Sequence, residues 1–204
     1  TLHAGQRTSA APPTHQHMPP TIRRKIAVIG DAAVGKSALV QMFASSGTRF
    51  PKQYNMTCGV ELAHKMTHVR PPAVDSEANV ELYLFDSSGQ DIFAEMLPPC
   101  WEGTEGVIVV YDVTRQHTFD ACEGRYRHLL EMVGVHKLPG AVVANKVDLH
   151  ERSVVERGMG ERFARAYGLG YFETSAKDGD GVDGPFQHVA AGLLKQTDAA
   201  ELPP

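Results

Sequence analysis

The segment Gly30-Asp31-Ala32-Ala33-Val34-Gly35-Lys36-Ser37 constrains this chain more than any other. It follows the apolar run Ile26-Ala27-Val28-Ile29 and opens a stretch whose apolar positions Leu39, Met42 and Phe43 recur at helical spacing. A glycine at each end lets the backbone wrap closely around an anion. Successive N–H groups then converge on it, and the N-terminus of the following helix adds the positive end of its dipole. In such a loop Lys36 reaches the β- and γ-phosphates of a nucleotide and the Ser37 hydroxyl ligates magnesium.

Around this loop, apolar strand-like runs alternate with segments of helical period from Arg24 onward, the pattern of an α/β domain with a mostly parallel sheet. Val107-Ile108-Val109-Val110 and Ala141-Val142-Val143-Ala144 join Ile26–Ile29 as central strands, since each is apolar at every position. Phe119, Cys122, Tyr126, Leu129, Leu130 and Val133 form one helical stripe, and Val182, Phe186, Val189, Ala190, Leu193 and Leu194 form another. Val60 to Val69 and Asn79 to Asp86, joined through Pro71-Pro72, are expected to pair antiparallel, with the first at the sheet edge. His64 and His68 then share one exposed face of that edge strand.

Composition narrows the function classes. A chain of 204 residues with 42% hydrophobic content suits one domain with a sizeable core. A net charge of -4 supplies no basic field for nucleic acid, and Arg23-Arg24-Lys25 reads as the solvated flank of a strand. Cys58, Cys100 and Cys122 are odd in number and far apart, which argues for a reducing compartment and places the chain on the cytoplasmic side. No apolar run is long enough to span a bilayer. Residues 1–22 read as a disordered arm, 23–196 as the folded domain and 197–204 as a short tail. The histidines of the arm, His3, His15 and His17, lack the companions a metal site needs.

A phosphate-binding loop alone does not select the base. Asn145-Lys146-Val147-Asp148 follows the third buried strand, at the carboxyl edge where open α/β sheets bind ligands. The Asp148 carboxylate suits the N1–H and 2-amino donors of guanine, a donor pair that adenine lacks. Asn145 can tie loops together, and the Lys146 stem can lie along the base plane. Glu173-Thr174-Ser175-Ala176-Lys177 follows the strand Gly170-Tyr171-Phe172, where the Ala176 N–H can donate to the guanine O6.

Gly30 to Ser37, Thr57, Asp86 to Gln90, Asn145 to Asp148 and Glu173 to Lys177 together resemble the motifs of Ras-superfamily GTPases, most similarly those of the Rab branch. The resemblance implies a three-layer P-loop GTPase fold, with a six-stranded, mostly parallel sheet and one antiparallel edge strand. It implies GTP or GDP with Mg2+ as ligands, held by Gly30, Asp31, Ala32, Ala33, Val34, Gly35, Lys36, Ser37 and Ala38 at the phosphates. At the base it implies Phe50, Asn145, Lys146, Asp148, Ser175, Ala176 and Lys177. Thr57, within Tyr54-Asn55-Met56-Thr57-Cys58-Gly59, would sit in switch I and join Ser37 and Asp86 around the metal. Asp86-Ser87-Ser88-Gly89-Gln90 would open switch II, where the Gly89 N–H senses the γ-phosphate and Gln90 orients the attacking water. Gln90, Lys36, Thr57 and Gly89 would therefore carry catalysis.

Val80 to Ser87, Phe93 to Leu97, Trp101-Glu102, Leu138-Pro139-Gly140 and Gly184-Pro185-Phe186 are similar to the Rab-like GTPases of the intraflagellar transport B complex. That likeness implies a small β-sandwich partner and a place in the cytoplasm and the cilium or flagellum and its base. The carboxyl end lacks a cysteine for prenylation, so no direct lipid anchor is expected. Ala32 stands where fast relatives carry glycine, and Ser88 replaces the usual alanine. No arginine lies within the P-loop or switch II segments, so an activating residue is expected from a partner, and intrinsic hydrolysis is expected to be slow. A nucleotide-stabilised structural subunit with negligible hydrolysis, and a soluble Rab-like GTPase of vesicle trafficking, remain the alternatives.

Overall fold

A computed structural model describes residues 21–53, 55–69 and 78–197. Tyr54, most of the N-terminal arm, the Pro71-Pro72 connection and residues 198–204 lie outside the described residues.

Six strands form one sheet: β1 (Thr21–Gly30), β2 (Val60–Val69), β3 (Ala78–Ser87), β4 (Gly106–Asp112), β5 (Gly140–Asn145) and β6 (Gly170–Thr174). Their spatial order is β2-β3-β1-β4-β5-β6, and every pairing is parallel except that of β2 with β3. The continuous apolar runs are the central strands, and β4 and β5 are buried at every position. That is what a strand covered on both faces requires. β3 instead alternates, with Val80, Leu82 and Leu84 inward. At the edge, β2 exposes Leu62, His64, Met66 and His68 along one face.

Helices cover both faces. α1 (Lys36–Ala44) and α5 (Asp183–Gln196) pack on one side, where Phe43 and Phe186 stack with centroids 3.9 Å apart. α2 (Pro98–Trp101), α3 (Gln116–Val133) and α4 (Arg157–Tyr167) cover the other. α4 has no counterpart in the sequence reading, although Met159, Phe163 and Tyr167 fall four residues apart and pack on the core beside the buried Gly160 and Ala164. None of the helices among the described residues is long and apolar enough to cross a membrane.

Two boundary readings change. β1 begins at Thr21, inside the stretch assigned to the arm. Arg24 is not a solvated flank: its side chain donates to Thr197 Oγ1 at 2.7 Å and pairs with Glu105 at 3.3 Å, so β1 is tied to the end of α5 and to the approach to β4.

Register brings the motifs to one edge. Gly30 pairs with Val110, Val28 with Asp86, and Asp112 with Asn145, while Asn145 also pairs with Thr174. The carboxyl ends of β1, β3, β4, β5 and β6 therefore open on the same side, where an α/β sheet presents its ligand crevice.

Candidate functional site

A cleft of ≈ 550 Å³ lies along that edge. Ala32, Ala33, Gly35, Lys36, Ser37, Ala38, Phe50, Thr57, Gly89, Gln90, Asn145, Lys146, Asp148, Ala176 and Lys177 all line it. Gly30, Asp31, Val34, Asp86 and Ser175 stand behind the wall. Val34 points into the core, Asp31 turns toward α3, Ser175 supports Asp148, and Asp86 lies beneath Ser37.

Each P-loop carbonyl from Gly30 to Val34 accepts a side-chain hydrogen bond, the first two from the loop's own Lys36 and the other three from residues beyond it. Lys36 Nζ donates to Gly30 O at 3.1 Å and to Asp31 O at 2.8 Å. Arg115 Nη2 holds Ala32 O at 3.0 Å, Lys146 Nζ holds Ala33 O at 2.8 Å, and Asn145 Nδ2 holds Val34 O at 2.9 Å. With the carbonyls all bonded to side chains, this stretch is shaped to receive an anion on its N–H groups. Gly35, at φ 99, starts α1, and a Cβ there would meet Asn145 Nδ2 at 2.4 Å. Glycine is the residue that meets both conditions.

At the metal end, Ser37 Oγ and Thr57 Oγ1 lie 3.0 Å apart, and Ser37 Oγ donates to Asp86 Oδ2 in a short hydrogen bond. Thr57 Oγ1 is 3.4 Å from the same carboxylate oxygen. The other oxygen, Asp86 Oδ1, is buried and has no hydrogen-bond partner among the described residues. Burial raises the Asp86 pKa, against the hydrogen bond from Ser37 and the charge of Lys36. Burial likewise pulls Lys36 down to about 8. Two hydroxyls and a carboxylate oxygen lacking a donor form the hard-oxygen set that suits Mg2+, so these residues fit the metal their pattern implies.

At the base end, Ser175 Oγ donates to Asp148 Oδ1 at 2.8 Å, and Lys177 lies 3.9 Å from the other carboxylate oxygen. Asn145 Oδ1 accepts from Thr174 Oγ1 at 3.0 Å and from Ala176 N at 3.3 Å, which fixes the second loop against the first. Lys146, at φ 69, pairs with Asp112 at 2.7 Å. Burial alone would raise Asp112, but hydrogen bonds from Lys146 and Thr114 outweigh it and hold the carboxyl below its usual range.

Switch II rests directly on the P-loop. A Cβ on Gly89 would lie 2.4 Å from Asp31 C and 2.5 Å from Ala32 N, so no side chain fits between the two backbones. Ser88 acquires a purpose that its motif position did not suggest: its Oγ accepts the Gln90 N–H at 3.2 Å, a bond alanine cannot make. Behind the loop stand two arginines that sequence reasoning did not find, Arg115 and Arg125. They reach Ala32 and Asp31 from 83 and 94 residues away, a distance no local motif can signal. Neither lies within the P-loop or switch II motifs, yet both bond to them from α3 and the loop before it.

Comparison with known proteins agrees with this geometry. The Ras family model matches residues 25–195. The chain is 40% identical to mouse intraflagellar transport protein 27 homolog over 166 residues, which is 81% of this chain and 87% of that protein. It is 37% identical to intraflagellar transport protein 27 of Chlamydomonas reinhardtii over 180 residues, 86% of each. A Trypanosoma brucei brucei homolog is 34% identical over 83% of this chain and 88% of its own length. The chain belongs to the Ras family of small GTPases, proteins that bind GTP and GDP, and within it to the Rab-like group represented by intraflagellar transport protein 27.

Proposed function

We propose that this chain is a magnesium-dependent GTP/GDP switch with slow intrinsic hydrolysis, acting as a Rab-like subunit of the intraflagellar transport machinery. The observation that carries the reading is the Ser37–Thr57–Asp86 cluster, in which two hydroxyls meet one buried carboxylate. In this reading Asp148 and the Ala176 N–H read guanine, Phe50 covers the base edge, and the loop from Gly30 to Ala38 holds the phosphates. Lys36 neutralises the phosphate oxygens, Thr57 closes switch I, the Gly89 N–H meets the γ-phosphate, and Gln90 orients the attacking water. Magnesium, when bound at Ser37, Thr57 and Asp86, would supply charge neutralisation between the β- and γ-phosphates.

The names of its relatives support a role in cilia or flagella, and the likeness to the transport-complex GTPases supports a small β-sandwich subunit as partner. Single-turnover hydrolysis of wild type and Gln90→Leu at saturating magnesium tests the switch. Gln90 acts on a water that matters only as the transition state forms. The substitution should therefore slow hydrolysis at least about tenfold while leaving nucleotide affinity within about twofold. If both proteins turn over GTP equally slowly with every partner tried, the nucleotide-stabilised subunit is the correct reading.

A further inference from the structure

We propose that Arg125, on α3, is a positioning residue that couples the P-loop to switch II and sets the hydrolysis rate from within the chain; this rests on the GTPase reading above. Arg125 Nη2 donates to Asp31 Oδ1 at 3.0 Å and to Gly89 O at 3.0 Å, with Asp91 Oδ1 at 3.5 Å. Asp31 is itself held, because Oδ1 accepts the Ala32 N–H at 2.7 Å and His117 Nε2 lies 3.7 Å from Oδ2. One guanidinium nitrogen thus bridges the P-loop carboxylate and the switch II backbone.

The bridge acts on a single peptide plane. The Gly89 C=O that accepts from Arg125 belongs to the same peptide as the Gln90 N–H that donates to Ser88 Oγ. A peptide is rigid, so bonds at its two ends fix the direction in which Gln90 leaves the backbone. The preceding Gly89 N–H belongs to a different peptide and takes no part in this clamp. Arg125 is only 26% exposed and Asp31 22%, so the pair is less screened than exposed pairs such as Arg157–Glu161 at 66% and 41%. Arg125 Nε is buried with no hydrogen-bond partner among the described residues. The guanidinium is therefore packed into the fold, with its Nη2 reaching Asp31 and Gly89.

Three readouts test the coupling on the full chain: nucleotide affinity, single-turnover GTP hydrolysis, and amide hydrogen exchange at Gln90 and Asp91 with a non-hydrolysable GTP analogue bound. Arg125→Met should lower hydrolysis about tenfold to a hundredfold, as loss of a group supporting a reacting residue does. Affinity should stay within about twofold, and exchange at Gln90 should rise at least about tenfold as its peptide loosens. Arg125→Lys should recover part of both, because a single nitrogen makes the two close contacts. Asp31→Asn combined with Arg125→Met should cost no more than Arg125→Met alone. Unchanged exchange and rate would make Arg125 a passive ion pair and overturn the proposal. Affinity falling in step with the rate would also overturn it, by showing general structural support. Wild type that binds but never hydrolyses GTP would sink the switch reading, while the exchange arm would still decide the coupling.

Discussion

Asn145 Nδ2 donates to Val34 O at 2.9 Å, so the loop that faces the base and the loop that faces the phosphates are one hydrogen-bonded unit. Asn145 Oδ1 meanwhile takes Thr174 Oγ1 and the Ala176 N–H. Asn145→Ala would leave Val34 O, Thr174 Oγ1 and the Ala176 N–H without this shared partner in a buried setting. The expected loss is about 2 to 4 kcal/mol of stability, read by denaturant unfolding of the nucleotide-free protein. Nucleotide dissociation should speed up as well, since both walls of the cleft loosen together.

Asp148 sits at the base end with one oxygen already accepting from Ser175. Its charge is what guanine donors would meet, so Asp148→Asn should weaken GDP binding by about 2 to 4 kcal/mol without creating affinity for ADP. Competition titrations with the two nucleotides give the answer directly. Undiminished GDP affinity would remove Asp148 from base recognition.

Ser37 shares Asp86 with Thr57. Ser37→Asn replaces a small hydroxyl with a bulkier amide at the proposed metal position. It should weaken magnesium-dependent GTP binding more than GDP binding, because the triphosphate carries more charge for a metal held there to neutralise. Affinities for both nucleotides, with and without magnesium, are the measurement. Equal losses would argue against the ligand role.

Burial pushes the Lys36 ammonium down from its ordinary 10.5 to about 8. In the nucleotide-free protein the charged form is therefore penalised. That penalty is fully present below pH 8 and is relieved as the pH rises toward 10.5. A phosphate favours the charged form, so the two effects run in opposite directions. Nucleotide-free protein should gain stability from this group above pH 8, whereas affinity for GDP should fall, approaching about tenfold per pH unit. Binding isotherms and unfolding curves between about pH 7 and about pH 9 check both signs.

Much of this architecture could be read from local pattern. Val107–Val110 and Ala141–Val143 are apolar at successive positions, and such runs admit little except buried strands. The P-loop was legible because its spacing is dictated by the anion it wraps. Three features escaped for physical reasons. The α4 helix spreads Met159, Phe163 and Tyr167 thinly among glycines and charged residues over a short span, and Gly160 is there because a Cβ would strike Tyr111 Oη at 2.5 Å. Ser88 looked like a neutral departure because its hydrogen bond to Gln90 exists only once the turn has formed. Arg125 approaches Asp31 across the tertiary fold, and charge pairs so far apart in sequence leave no periodic trace.

The side-chain-bonded carbonyls from Gly30 to Val34 bear on how a nucleotide would leave. A receptor already in its bound shape loses little conformational entropy on capture, so its ligand departs slowly and without help from loop fluctuation. Peeling this loop open would mean breaking contacts to Arg115, after β4, and to the adjacent Asn145 and Lys146, at the end of β5. Among the described residues around Thr57 no comparable set of backbone anchors is present, so the easier route to release runs through that side of the cleft. An exchange catalyst acting there would unseat the metal corner and leave the phosphate cradle intact for the next nucleotide.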